Sequence, residues 1–162
     1  MVAISVMVRD SGTCIMQKIS ELEVKSERKL SIMKKILLAE TGNVEQILSI
    51  LTGAETIVTV LKQTECREVI RREVNIISKS NRKILVRATS LFFLRNLPKV
   101  FVNKVRQREK GIGNILVDIQ LETFRKIIKI GYDSNSDTVF KVYQILYRGR
   151  VAIEIKEYFQ SK

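Results

Sequence analysis

Two segments read as β-strands that each carry a charge on the face that should be apolar. Side chains of a strand alternate between its faces, so in Val69-Ile70-Arg71-Arg72-Glu73-Val74-Asn75-Ile76-Ile77 the Arg72 side chain shares a face with Ile70, Val74 and Ile76. In residues 151–159 the same alternation sets Glu157 beside Val151, Ile153, Ile155 and Phe159. Arg71, Glu73, Glu154 and Lys156 fall on the opposite, polar faces. An unpaired ion on an apolar face costs roughly several kcal/mol. The fold therefore has to bring Arg72 and Glu157 to each other, to another polar group, or to a ligand.

The remaining sequence supplies a sheet and helices to hold such strands. Leu30, Met33, Ile36 and Leu37 recur at helical spacing and stop near Thr41-Gly42. Asn43 is placed to cap a second helix, whose buried stripe is Val44, Ile47, Leu48 and Leu51 and whose end is Gly53. The period then becomes strand-like. Residues 56–62 are apolar on both faces, as a central strand would be. Residues 69–78 and 83–91 flank the polar turn Lys79-Ser80-Asn81-Arg82 and predict a hairpin. Pro98, the single proline, suits a helix start, with Phe101 and Val105 as its apolar side and Gly111 as its end; a further helical turn runs from Gly113 to Ile119. Residues 124–132, 139–147 and 151–159 read as strands, the last two joined at Arg148-Gly149-Arg150. This order predicts one α+β domain over residues 1–162, a single largely antiparallel sheet of about six strands with helices packed on it.

Composition narrows the chemistry. The 162 residues contain no histidine, which removes the commonest general base and every Ser-His or Cys-His arrangement, so any reaction has to run on carboxylates, Lys, Arg, Tyr or Cys. The net charge of +12 is uneven: residues 1–60 hold seven basic and seven acidic side chains, and residues 61–162 hold 22 and 10. That excess favours an anionic partner, a solvated basic surface being the alternative. Nucleic acid is the poorer choice, because Lys104, Arg106, Arg108 and Lys110 cluster without interleaved aromatic side chains. Cys14 and Cys66 lie in unlike contexts and suggest no zinc site. No window is long and apolar enough to span a membrane, and the N-terminal Met-Val-Ala-Ile-Ser-Val-Met-Val is too short for a signal peptide, so the expected compartment is the cytoplasm. No metal or cofactor is called for. Gly111-Ile112-Gly113 begins like a dinucleotide fingerprint, but Leu116 stands where the third glycine belongs; the glycines are read as letting backbone pass close to a neighbour or a ligand.

Several short segments occur in an informative order. Leu37-Leu38-Ala39-Glu40-Thr41-Gly42-Asn43-Val44, Ile70-Arg71-Arg72-Glu73-Val74, Arg87 on the next strand, Gly111-Ile112-Gly113, Arg125 with Gly131, and Arg148-Gly149-Arg150 leading to Glu157 resemble the chorismate pyruvate-lyase family from about residue 36 to 159. That family shares its fold with the effector-binding (UTRA) domains of some transcription regulators. The resemblance implies a small anionic substrate, chorismate or an aromatic carboxylate, and expulsion of pyruvate to leave 4-hydroxybenzoate. By position it makes Arg72 the clamp on the ring carboxylate and Arg87 the second cation. Glu157 becomes the acid/base group beside the ether and ring oxygens, and Val44 and Gly113 further substrate-binding positions. A small-anion effector module that turns nothing over, and a basic nucleic-acid binder, are the alternatives. If a ligand is the missing partner, Arg72 and Glu157 should line one cavity, too far apart for a direct salt bridge; a closed ion pair in a solid core is the opposing expectation.

Overall fold

The computed structural model describes residues 3–8 and 14–160; Met1 and Val2, which open the N-terminal apolar run, lie outside them. In chain order the elements are β1 (Ile4–Met7), α1 (Ile15–Ser26), α2 (Ile32–Ala39), α3 (Val44–Thr52), β2 (Thr56–Cys66), β3 (Val69–Ser78) and β4 (Ile84–Phe93). A 3₁₀ turn (Leu94–Asn96) then leads to α4 (Lys99–Gln107), α5 (Ile112–Asp118), β5 (Phe124–Asp133), β6 (Thr138–Tyr147) and β7 (Arg150–Phe159). The strands form one antiparallel sheet in the order β1-β5-β6-β7-β4-β3-β2. The sheet has seven strands, one more than the sequence pattern indicates. The extra strand is β1, whose four residues are too short to register as a period; its inward Val6 is nonetheless buried.

One face of the sheet is covered by the helices and the other is open. Buried side chains of α1 to α5 and the inward residues of the strands form a single apolar cluster, with the ring of Phe101 of α4 packed at a tilt of 43° against Phe92 of β4, 6.2 Å between centroids. Burying such a face supplies most of the stabilisation of a sheet of this kind, at roughly 25 cal/mol per Å² of apolar surface. Glu23 in α1 ties the helices together: its carboxylate accepts from the Leu30 amide at 2.7 Å and faces Lys35 Nζ at 3.0 Å. Those contacts, the Leu30 amide foremost, hold its carboxyl below the usual carboxylate range. Among the described residues no helix is long and apolar enough to cross a membrane.

Three local expectations are corrected. β2 is an edge strand, not a central one; its double-sided apolar run reflects inward Val58 and Val60 together with Leu61, which is 59% exposed. α4 ends at Gln107 with Arg108 in the left-handed conformation, and Gly111 instead precedes α5 as its N-cap residue. Arg148 and Gly149 both have positive φ, so β6 and β7 are joined by a two-residue turn whose twist matches the strands, and Arg150 is already in β7. Asn43 caps α3 through an acceptor bond from the Glu45 amide, as its position implies.

Candidate active site

The cavity lies where the inner face of the sheet carries small residues. Arg72 pairs across β3 and β4 with Ser90, which pairs with Ile155 of β7, while Glu157 of β7 pairs with Ala88, which pairs with Val74 of β3. Arg72 and Glu157 are thus two strands and two residues apart, about 12 Å between Cα atoms from standard strand spacings. Ala88 and Ser90 are the short side chains beneath the gap. The space above them, mouth included, holds about 520 Å³ not filled by protein atoms. It is walled by Val44 and Glu45 at the start of α3 and by Gly111 to Gly113 at the start of α5.

Arg72 is 1% exposed and Glu157 is 3% exposed, yet neither answers the other. Arg72 donates from Nε to Gln63 Oε1 at 2.7 Å, from Nη1 to the Lys110 carbonyl at 3.0 Å, and from Nη2 to the Val105 carbonyl. A guanidinium has five N–H donors, so each terminal nitrogen retains one unspent. Its flank rests on Phe92, 5.5 Å from the ring centroid. Burial first, and the Arg108 charge second, push Arg72 down to about 10, so it remains a cation at neutral pH. All three acceptors are neutral oxygens; among the described residues no carboxylate pairs with this cation.

The choice of Gln63 depends on a β-bulge. Val60 pairs with Val74, but Lys62 pairs with Glu73 and Gln63 with Arg72, so Leu61 is the extra residue. Without that insertion, strand alternation would turn Lys62 toward Arg72. The bulge substitutes an amide oxygen for an ammonium and leaves the guanidinium's charge uncancelled. Gln63→Glu should supply the missing anion internally. We expect it to weaken binding of an aromatic carboxylate about 10- to 100-fold, the worth of one charge-assisted contact, as read by titration calorimetry.

Glu157 has a different surround. Tyr143 donates its hydroxyl to Glu157 Oε1 at 2.9 Å, and Lys141 Nζ lies 3.6 Å from Oε2, an atom that is buried and makes no hydrogen bond among the described residues. Burial, followed by the Glu157 charge, holds the Tyr143 phenol well above its ordinary value, so it is a donor throughout the neutral range. Lys141, itself 1% exposed, also donates to the Glu40 carbonyl at 2.8 Å and to Glu40 Oε2 at 3.1 Å.

Of the residues singled out from sequence, Arg72, Glu157, Val44 and Gly113 face this cavity together. Arg87 does not. It pairs with Asn75 and Tyr158 on the other face of the sheet and is exposed, because alternation along β4 sends Ala88 and Ser90 inward and Arg87 outward. The second cation on the cavity wall is Arg125 of β5. Tyr143 and Glu45 also line the cavity, and Lys141 and Gln63 buttress it. Alternation in Val139-Phe140-Lys141-Val142-Tyr143 marks Lys141 as an inward charge by the same argument that marks Arg72. Gln63 is hidden by the bulge, and nothing in the α3 pattern distinguishes Glu45 from a solvated first-turn acid.

Known proteins share sequence with this chain along most of its length. The chain is 23% identical, in a match covering 82% of its length and 81% of theirs, to proteins named chorismate pyruvate-lyase from Mycobacterium tuberculosis, strains CDC 1551 / Oshkosh and ATCC 25618 / H37Rv, and from Mycobacterium bovis. Residues 32–162 match the family described as Chorismate pyruvate-lyase Rv2949c-like. With four fifths of its length matched, the chain belongs to the Rv2949c-like chorismate pyruvate-lyase family.

Proposed function

We propose that this protein is a chorismate lyase, splitting chorismate into pyruvate and 4-hydroxybenzoate. The observation that supports it most is a buried cation with no carboxylate partner facing the same cavity as a buried carboxylate with an unused oxygen. A dianion with an acidic C–H answers both needs. The two unspent N–H groups of Arg72 take the ring carboxylate, and Arg125 stands as the cation for the enolpyruvyl carboxylate. Glu157 accepts the proton from ring C4. The C4–H electron pair becomes the new ring double bond, the C3–O bond breaks, and the pair leaves with the enolpyruvyl oxygen. Aromatisation drives the step, so the protein's task is to hold the dianion with C4 at the carboxylate.

Purified protein given chorismate should release pyruvate and 4-hydroxybenzoate in equal amounts. Glu157→Gln keeps the hydrogen-bonding shape but removes the base, and should lower turnover about 10²- to 10⁴-fold while binding 4-hydroxybenzoate normally. Binding without turnover in the wild type would assign an effector-binding module instead. Neither binding nor turnover would overturn both.

A further inference from the structure

We propose that Glu45 is the proton donor of this site, delivering its carboxyl proton to the oxygen of the departing enolpyruvyl group while Glu157 takes the proton from the ring. The assignment rests on the lyase reading above. Glu45 is the second residue of α3, and its carboxyl group lines the same cavity as Glu157. Two carboxylates in one pocket are costly when both are charged, unless one keeps its proton.

The space for this carboxyl is built into the chain. Gly111 has φ −67°, which any residue adopts, so its conformation does not demand glycine. A side chain at 111 would instead collide with Glu45 Oε1 and come within 2.9 Å of Val58 Cγ2. The glycine is there for close approach, and what approaches is the acid. Asn114 donates to Glu45 Oε2 at 3.2 Å, leaving Oε1 without a hydrogen bond among the described residues. No lysine or arginine among them forms an ion pair with Glu45.

Its raised affinity for a proton follows from what faces it. Glu157 comes from β7, Tyr143 from β6, Arg125 from β5 and Arg72 from β3 across the cavity; Asn114 comes from α5, with Glu109, Lys110 and Asp118 around the outer rim. Burial chiefly, and the Glu157 charge, raise the Glu45 carboxyl above the usual range, against the Asn114 bond that lowers it. The step balances. The C3–O pair stays on oxygen, the Glu45 O–H supplies the proton to give the enol of pyruvate, and the enol rearranges to the keto acid. Glu45 is left ionised and Glu157 protonated, and exchange with water resets both.

A donor must be protonated to act, so turnover should fall as pH rises through the Glu45 value. The test compares kcat against pH for wild type, Glu45→Gln and Asn114→Ala, with 4-hydroxybenzoate affinity as the check on folding. Glu45→Gln should lose about 10²-fold in kcat together with the alkaline limb, and keep its affinity for 4-hydroxybenzoate. Asn114→Ala removes the bond that favours the ionised form and should move the alkaline limb to higher pH. That shift keeps the proposal open to refutation even if Glu45→Gln does not fold. Wild-type turnover with an unchanged profile in Glu45→Gln, or an unmoved limb in Asn114→Ala, overturns the donor role alone. Wild-type binding of 4-hydroxybenzoate without turnover of chorismate overturns the lyase reading, and the donor with it.

Discussion

Arg72→Lys should lower affinity for 4-hydroxybenzoate about 10²-fold although the side chain's charge is unchanged. The guanidinium works here as a bracket with two sides. Three of its N–H groups hold Gln63 on β2 and the Val105 and Lys110 carbonyls around the end of α4, and this fixes the plane of the fork. The two groups left over can then meet a carboxylate with both oxygens at once. An ammonium carries three donors on one atom and cannot serve three protein acceptors and a bidentate anion together. Losing the paired contact costs about 3 kcal/mol, which is the stated factor. The same substitution leaves acceptors at the α4 end less well satisfied, so melting temperature should also fall. The two effects separate by calorimetric titration well below the melting point: a purely structural Arg72 would lower stability and leave the affinity of the folded fraction intact.

How far the sequence foretold this site depends on how locally each part is encoded. Strand parity is local, and it correctly marks Arg72 and Glu157 as inward charges because no bulge interrupts either segment near them. The same parity applied to β4 sends Arg87 outward, opposite to its assignment by family position. It also singles out Lys141 between Val139 and Tyr143. Bulges defeat the rule. The insertion at Leu61 exchanges the faces of Lys62 and Gln63, and nothing in Leu-Lys-Gln announces where the ladder slips. The α+β class and the two long hairpins β3–β4 and β6–β7 were legible because polar turns separate alternating runs. Strand β1 was not, since it pairs with β5 across more than a hundred residues and is too short to show a period. Glu45 stayed hidden for a related reason: what makes it special is the approach of Gly111 from an element more than sixty residues away.

Lys141→Met should be among the most destabilising single substitutions in this protein, at about 3–5 kcal/mol, because one ammonium serves two buried carboxylates. Lys141 Nζ sits 3.1 Å from Glu40 Oε2 and 3.6 Å from Glu157 Oε2, and also donates to the Glu40 backbone carbonyl at 2.8 Å. Glu40 is the C-cap residue of α2, and three residues later Asn43 begins the corner that walls the cavity. The lysine therefore fastens that corner to the central strand that bears Glu157. Methionine fills much of the same volume beside the Tyr143 and Phe159 rings, which lie 5.2 and 5.5 Å from Nζ, so the loss is one of charge more than of packing. For a chain of this length the melting temperature should drop by roughly 10 °C. A double substitution ties the loss to the carboxylates. Glu40→Gln introduced into Lys141→Met should recover about 1 kcal/mol or more, whereas in the wild type it removes a partner and should destabilise. Additive effects of the two substitutions would mean that Lys141 acts by packing alone. Glu157 would then be positioned by Tyr143 without the ammonium's help.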